Sequence, residues 1–337
     1  MSYGLPYQGS KNRIARRLVD TLPAAPVLYD VFCGGCAVTH AAMLSGKYQR
    51  FVINDRRGWL PDAFRKAIHG GYAHEDRWIS REDFERLKST DAYAALCFSF
   101  GNDPRSYMYA RPLERYKRAL HYAISWRDFA PWAALCPETV DALAAGLAPI
   151  EDRKQRRIQA GKFIVRSLRA QITAGTLTPD ILQKPIYRQI HRSKGAMTTV
   201  ETLQSLERLQ SLQGLQSLQS LISLERLQSL QSLERLQGAL TAHSGDYREL
   251  CFDEPGIIYC DPPYKDTTDH GEDYGELFCH DEFYSWCETQ KLPVYISEYQ
   301  MPEDRFVRIA EWDKVTTMAA KTTSHVAERL WRPRTQL

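Results

Sequence analysis

The chain has 337 residues, a formal net charge of +3 and 43% hydrophobic residues. This length provides for one large domain or two modest ones, with enough residues to bury a core. The longest apolar window, residues 92–100, is too short to cross a bilayer, which excludes a membrane-spanning helix. Because the net charge is small, any surface for nucleic acid must be a local patch.

Eight cysteines lie in apolar or strand-like surroundings, and residues 1–11 lack the apolar segment of a secretory signal. We therefore expect reduced thiols in a cytoplasmic protein. The spacing of Cys33 and Cys36 is compatible with a zinc or redox site, but no second Cys/His pair has the spacing of a ligand set. The sequence predicts no metal.

A turn containing Gly9, Ser10 and Lys11 precedes a helix predicted over residues 12–22. Such a turn, with its lysine, can hold an anion such as a ligand carboxylate. The alternative is an ordinary capped helix.

Two buried strands follow, and each ends at residues that suit a nucleotide-like ligand. Residues 27–32 run into Cys33-Gly34-Gly35-Cys36 and a helix of small residues, which is how α/β folds bring backbone close to such a ligand. Residues 51–55 end in Asp55, which can hydrogen-bond ribose hydroxyls or cap the helix predicted over residues 58–68. Together the two strand ends favour an adenosine-containing cofactor.

Residues 61–199 are predicted to be largely helical, with the clearest helix over residues 112–126. Before that helix lies a loop, residues 99–109, that is rich in Gly, Asn, Arg and Tyr. Asn102, Arg105 and Tyr107 can supply amide donors, a phosphate contact and a stacking surface to nucleic acid. An ordinary surface loop is the alternative.

The charge becomes unbalanced in residues 151–194, where eleven basic residues face three acidic ones. A concentrated basic surface is the pattern expected for contact with DNA phosphates, and a solvated helix face is the alternative. The candidates for DNA contact in this segment are Arg153, Arg157, Arg188, Arg192 and Lys194.

Residues 201–238 form a low-complexity repeat, in which twelve leucines from Leu203 to Leu236 recur at every third position. In an α-helix each leucine steps about 60° around the axis, so no leucine-zipper stripe forms. A 3₁₀-helix would align the leucines, but such helices rarely exceed one turn, and the composition favours the α form. We expect a helical spacer or brace, with self-association through residues 200–240 or a repetitive solenoid as alternatives.

An apolar strand, residues 257–260, ends at Asp261-Pro262-Pro263-Tyr264. Two prolines cannot continue a central strand, so the backbone turns out at the carboxyl end, where open α/β sheets bind ligands. Asp261 and the carbonyl of Pro262 can accept both hydrogens of an exocyclic amine, which localises the nitrogen lone pair for methylation. Tyr264 can stack on a base that has left the duplex. The alternative is a tight Asp-Pro turn with a buried tyrosine.

The C-terminal part predicts further elements of the same sheet. They are a helix over residues 281–290, strands over 293–297 and 306–310, and a hairpin of 314–318 with 328–331. A loop containing Thr267, Thr268 and Tyr274 is a candidate for ordering over DNA. We interpret His325 as a loop histidine, because the amine proton can leave after methyl transfer without a strong base.

Four segments resemble, in order, those of the D12 class of DNA adenine-N6 methyltransferases, which are related to the Dam enzymes. The segments are Tyr7-Gln8-Gly9-Ser10-Lys11, Asp30-Val31-Phe32-Cys33-Gly34-Gly35, Ile53-Asn54-Asp55 and Asp261-Pro262-Pro263-Tyr264. The resemblance covers roughly residues 1–60 and 246–337. Cys36 stands where the family's F-x-G-x-G motif has its last glycine.

This resemblance implies a Rossmann-like α/β fold with a seven-stranded mixed sheet and the cofactor S-adenosylmethionine. Tyr7 and Lys11 would approach the methionine end of the cofactor. The cofactor-binding residues that it implies are Tyr7, Lys11, Asp30, Phe32, Gly34, Asp55 and Asp261. The catalytic residues that it implies are Asp261, Pro262, Pro263 and Tyr264.

We therefore predict a catalytic domain of residues 1–60 and 246–337, a mainly helical DNA-recognition insertion of residues 61–199, and a Leu-x-x repeat at residues 200–240. The predicted function is methylation of adenine N6 in double-stranded DNA with base flipping, in the cytoplasm of a prokaryote or encoded by a phage. The alternatives are amino methylation of cytosine N4 or of RNA, and a catalytically inactive DNA-binding or assembly protein.

Overall fold

The computed structural model describes residues 2–173, 218–264, 278–316 and 324–337. The chain forms two compact units, one of Met1–His74 with Arg226–Leu337 and one of Glu75–Glu225. The predicted insertion, residues 61–199, overlaps the second unit, and the predicted repeat segment is divided between the two. No helix in the described ranges has both the length and the apolar character needed to span a membrane.

The first unit is built on one seven-stranded sheet. In chain order its strands are β1 (Val27–Asp30), β2 (Arg50–Asp55), β3 (Leu240–Ser244), β4 (Gly256–Cys260), β5 (Val294–Glu298), β6 (Phe306–Thr316) and β7 (Ser324–Pro333). Their order across the sheet is β3-β2-β1-β4-β5-β7-β6.

Strands β1 to β5 are parallel to one another, whereas β7 is antiparallel to both β5 and β6. This pattern confirms the mixed seven-stranded sheet that the family resemblance implied. The four residues of β1 are all buried, as expected for a central parallel strand that is covered on both faces. Because β1, β2 and β4 are parallel neighbours, their carboxyl ends meet at one edge of the sheet.

Two strands differ from the sequence prediction. β3 was not predicted, because its sequence Leu-Thr-Ala-His-Ser is polar and mostly exposed at the sheet edge. β6 is one continuous strand, where the sequence predicted two pieces at residues 306–310 and 314–318. A bulge between Arg308 and Ala310 carries the strand past its exposed residue Ile309.

The α-helices of the described residues surround the sheet or form the second unit. They are α1 (Ala15–Thr21), α2 (Ala37–Ser45), α3 (Trp59–Ile68), α4 (Arg81–Leu87), α5 (Ala92–Cys97), α6 (Arg111–Trp126), α7 (Ala130–Ala133), α8 (Val140–Leu147), α9 (Arg153–Thr173), α10 (Gln219–Ser229) and α11 (His280–Thr289). Helices α4 to α9 lie in the second unit, and the unit boundary falls within α10.

The described part of the leucine repeat adopts both of the helical forms that the sequence left open. Gln219–Ser229 is the α-helix α10, and Leu230–Ala239 continues as a 3₁₀-helix that packs against α3. Every third-position leucine from Leu218 to Leu233 is buried by the chain itself. Because these leucines are buried within the chain, they are not exposed for contact with a second copy. The leucines from Leu203 to Leu215 lie outside the described residues.

A matched pair of leucine substitutions tests the 3₁₀ face. Leu233 is 1% exposed, so Leu233→Ala should lower the free energy of unfolding by about 2–5 kcal/mol through loss of burial and the cavity left behind. Leu236 lies one turn further on and is half-buried, so Leu236→Ala should cost less than half as much. Urea unfolding of the full chain measures both. Equal losses at the two positions would contradict the described helix.

Candidate active site

Three carboxylates converge at the sheet edge where parallel strands end. Asp30 is the last residue of β1, Asp55 is the last residue of β2, and Asp261 directly follows β4. Burial raises the pKa of Asp30, and the negative charges of Asp261 and Asp55 raise it further. The three side chains are thus close enough to influence one another's ionisation.

The glycine turn after β1 leads the backbone back toward Asp55. The Gly34 N–H donates to Asp55 Oδ2 at 2.9 Å, and the Arg57 N–H donates to Oδ1 at 2.9 Å. Burial raises the pKa of Asp55, and these two N–H groups oppose that rise. Cys36 has a φ of 56°, in the left-handed region that glycine adopts without strain, which accounts for the glycine of the family motif.

Tyr7 lies against the same turn. Its hydroxyl accepts a hydrogen bond from the Arg57 guanidinium. A Cβ atom at Gly35 would approach to 2.8 Å from the Cβ of Tyr7, so this contact requires glycine. The N-terminal segment and the turn are therefore packed as one surface, as the order of the motifs suggested.

Asp30 has one carboxylate oxygen in use and one that is unsatisfied. Its Oδ2 accepts from the Thr39 hydroxyl at 2.6 Å, while its buried Oδ1 has no hydrogen-bond partner in the described part of the chain. Burial is the main reason that the pKa of Asp30 rises to about 7. A buried acceptor without a donor is costly, and a cationic ligand group would satisfy it.

A cleft opens beside Asp55 and encloses about 350 Å³, part of it open to solvent. Its apolar wall consists of aromatic rings, with Phe32 lying 5.2 Å from Tyr247 and 5.9 Å from Phe278 between ring centroids. The polar residues that line it are Asn54, Asp55, Arg56, Gly245 and Asp246. Aromatic walls with a few placed polar groups suit a flat heterocycle.

Lys11 lies at the centre of a charged cluster at the end of β4. Its Nζ is 2.7 Å from Asp261 Oδ1 and 3.3 Å from Glu328 Oε1. Lys11 is 7% exposed, and Glu328 is fully buried. Burial alone would lower the pKa of Lys11, but the two carboxylates raise it above its ordinary value, so the ammonium stays charged.

Tyr264 is held from two sides. Lys11 Nζ donates to the Tyr264 hydroxyl at 2.5 Å, and this hydroxyl donates to Glu328 Oε1. The ring of Tyr299 meets the Tyr264 ring edge-on, with centroids 4.5 Å apart. Burial raises the pKa of Tyr264, and Asp261 and Glu328 raise it further, so the hydroxyl remains protonated.

The residues around the two prolines fix the loop and add a further buried acid. Pro262 is buried, and the Pro263 carbonyl accepts a hydrogen bond from His280 Nε2 at 3.0 Å. Glu298, the last residue of β5, is 3% exposed, and its Oε2 has no hydrogen-bond partner among the described residues. Burial, with Asp261 nearby, raises the pKa of Glu298 to about 8, so this side chain is mostly neutral at pH 7.

The predicted DNA-contact loop lies in the second unit, where its side chains mainly hold the loop together. Asn102 Nδ2 donates to the Leu96 carbonyl at 2.8 Å, and Tyr107 is buried with its hydroxyl on the Ile79 carbonyl. Arg105 is exposed and pairs with Asp103 at 2.6 Å.

The predicted basic candidates on α9 also make contacts within the second unit. Arg157 forms an ion pair with Glu225 at 2.7 Å, and Arg153 donates to the Glu75 carbonyl at 3.3 Å. Arg188, Arg192 and Lys194 lie outside the described residues, as do Thr267, Thr268 and Tyr274. The contribution of all these residues to DNA binding stays a prediction.

Sequence reasoning missed the cleft residues Asp246 and Tyr247 and the buried acid Glu328. Asp246 and Tyr247 follow β3, whose polar sequence gave no strand signal that would have placed them at the sheet edge. Glu328 was assigned to a hairpin, where a glutamate is usually solvated. An acid within the otherwise apolar alternation of β7 was the available signal.

Residues 7–124 match the family model described as D12 class N6 adenine-specific DNA methyltransferase. A search of curated proteins found no match. The matched segment contains Tyr7, Lys11, the glycine turn and Asp55, which are the first three of the four motifs. Residues 7–124 of the chain are therefore similar to the D12 class of N6 adenine-specific DNA methyltransferases.

Proposed function

We propose that the chain is an N6 adenine-specific DNA methyltransferase that holds S-adenosylmethionine along the glycine turn and the cleft. It takes double-stranded DNA as substrate and flips the target adenine onto Asp261-Pro262-Pro263-Tyr264. The observation that carries the proposal is the buried cluster of Lys11, Asp261, Tyr264 and Glu328 at the end of β4, beside Asp30 and Asp55.

The residues of the cofactor site fit the parts of S-adenosylmethionine. The unsatisfied Asp30 Oδ1 would accept the α-ammonium group, and Asp55 would accept ribose hydroxyls. Asp246 would accept from the exocyclic amine of the cofactor's adenine, while Phe32 and Tyr247 cover its faces. When bound, the cofactor supplies a methyl group on a sulfonium centre.

Asp261 and the Pro262 carbonyl would accept the two hydrogens of the target amine. Their pull would return the lone pair from the ring to N6, which makes this nitrogen nucleophilic toward the sulfonium methyl group that a bound cofactor would supply. Lys11 pairs with Asp261 and would weaken it as an acceptor, but the same ammonium also pairs with Glu328, which shares that charge. The surplus proton of the methylated amine would pass to water.

Glu328 acts as a positioning residue in this mechanism. Its carboxylate accepts a hydrogen bond from the Tyr264 hydroxyl and forms an ion pair with Lys11. Because Glu328 is fully buried, water does not compete for these contacts. A tyrosine ring fixed by its hydroxyl can stack on the flipped base without first being ordered, which lowers the cost of binding.

Base flipping is needed because N6 is inaccessible inside a duplex. In the second unit, the loop of residues 99–109 carries Phe100, which is 70% exposed. The loop is held by a bridge between Ser99 and Tyr107 and by left-handed backbone at Gly101 and Asn102. An exposed aromatic ring held in this way can stack on bases of bound nucleic acid.

The N4 amine of cytosine and the exocyclic amines of RNA bases could be methylated by the same chemistry. The family match favours adenine N6 on DNA. A catalytically inactive assembly protein would have no use for a buried Lys11–Asp261 pair beside a ligand cleft. We infer a prokaryotic or phage-encoded enzyme that acts in the cytoplasm.

Asp261→Asn should lower methyl transfer to duplex DNA by at least about 100-fold, because an amide is a weaker acceptor and donates toward Lys11. Transfer of labelled methyl groups to DNA measures this loss. Asp304→Asn, at an exposed acid, is the control and should leave the rate unchanged. If wild-type protein transferred no label, the inactive assembly protein would be the better interpretation.

Glu328→Gln should lower kcat roughly 10–100-fold with a smaller change in KM for the cofactor, because it replaces a charged hydrogen-bond acceptor with a weaker, neutral one. In a Tyr264→Phe background the same substitution should lower kcat much less, since the hydroxyl that donates to Glu328 is already absent. Glu303→Gln is an exposed control. Fully additive losses in this double-mutant cycle would contradict the positioning role.

Cofactor affinity should depend on pH through Asp30. Below the pKa of about 7 the carboxyl is protonated, so the affinity for S-adenosylhomocysteine should fall as pH drops and level off above pH 7. Isothermal calorimetry across this range measures the dependence. Asp30→Asn should bind weakly and without this pH dependence.

The same shift has an opposite effect on stability. Because the pKa of Asp30 rises from 3.8 to about 7 on folding, stability from this group is lost as pH rises through that interval. Ligand-free Asp30→Asn should therefore melt higher than wild type at pH 8. A lower melting temperature would show that Asp30 is a structural acid.

A further inference from the structure

The outward face of α6 carries a stripe of three arginines. Arg111, Arg115 and Arg118 are all exposed, at spacings of four and three residues that align them on one side of the helix. The opposite face packs into the core of the second unit through Ala119, Leu120, Ala123 and Ile124. We call these three residues the arginine stripe.

In the part of the chain that the structure describes, the arginines of the stripe have no ion-pair partner, and the same is true of the exposed Arg166 on α9. Within the described residues, Arg111 and Arg118 have no acidic partner, and Arg115 contacts only the Tyr116 ring and hydroxyl. Other exposed arginines pair with acids: Arg77 with Glu75, Arg86 with Asp83, Arg105 with Asp103 and Arg127 with Glu151.

This arrangement is unfavourable for the helix itself. Like charges three or four residues apart destabilise a helix by about 0.2–0.5 kcal/mol per pair. Arg111 is also the first residue of α6, where the helix dipole disfavours positive charge. Within the described residues, no ion pair of the stripe offsets this cost, and Arg115 alone has a stabilising contact, with Tyr116. An external polyanion would offset the cost.

We propose that the arginine stripe tracks the phosphate backbone of the DNA substrate, a contact that supplies affinity without reading sequence. The inference rests on the proposed function. The three residues span about 10 Å of helix at 1.5 Å per residue. One DNA strand presents a phosphate charge about every 3.4 Å along the duplex axis, so about three phosphates face the stripe.

The test is the salt dependence of DNA binding by the full chain. Each lost phosphate contact should reduce the slope of log K against log salt by about 0.9. In the triple variant Arg111→Ala, Arg115→Ala, Arg118→Ala, the loss of affinity should be about 40-fold larger at about 50 mM than at about 200 mM salt. Fluorescence anisotropy with a labelled duplex of arbitrary sequence measures both slopes.

The control variant removes three exposed arginines that each form an ion pair three residues away, with the same change in net charge. It combines Arg65→Ala, Arg86→Ala and Arg308→Ala, and its slope should equal that of wild type. Replacing the stripe by lysines should keep the wild-type slope, because the charges remain. If the alanine variant did not fold, a triple glutamine variant would be measured on the same scale.

An unchanged slope in the folded stripe variant, or the same change of slope in the control, would contradict the contact between the arginine stripe and DNA. Either result would leave the proposed function intact. Wild-type protein that bound no duplex would overturn both.

Discussion

The structure depends on how the charge of Lys11 is neutralised. A buried ammonium costs several kcal/mol unless it is paired, and Lys11 is paired with Asp261 and Glu328. These residues come from the N-terminal segment, the end of β4 and the C-terminal strand β7. The electrostatic requirement of one side chain therefore fixes three distant parts of the chain against one another at the sheet edge.

This constraint also determines the chemistry. In the proposed mechanism Asp261 accepts hydrogen bonds from the substrate amine, and a lysine paired with Asp261 alone would occupy that capacity. Because Glu328 is present, the Lys11 ammonium pairs with two carboxylates instead of one. Glu328 also accepts a hydrogen bond from the Tyr264 hydroxyl. Glu298 does not compete for Lys11, because its raised pKa of about 8 keeps it mostly neutral. The charge of the cluster is thus concentrated on Asp261 and Glu328.

The sequence predicted the parts of the site that follow from strand topology. Asp30, Asp55 and Asp261 each end an apolar run, and parallel strands must bring such ends together. It did not predict Glu328, whose burial depends on Lys11 arriving from residues that are more than three hundred positions away. It also missed Asp246, because the polar edge strand β3 has no apolar alternation. The periodicity of hydrophobic residues indicates which face of one helix or strand is buried. It does not indicate which charged residues of distant elements form an ion pair.

The leucine repeat also shows the difference between what a sequence pattern predicts and what tertiary contacts determine. Its triplet spacing correctly indicated that no single α-helical stripe could hold the leucines. The structure resolves this conflict by burying α10 over a wide arc and then changing to a 3₁₀-helix, where three residues make one turn and the leucines align. A long 3₁₀-helix has poor hydrogen-bond geometry, so the burial of Leu230 and Leu233 against the first unit must compensate for it. Tertiary packing, rather than helix propensity, therefore selects the conformation of this segment, and periodicity alone could not have distinguished the two forms.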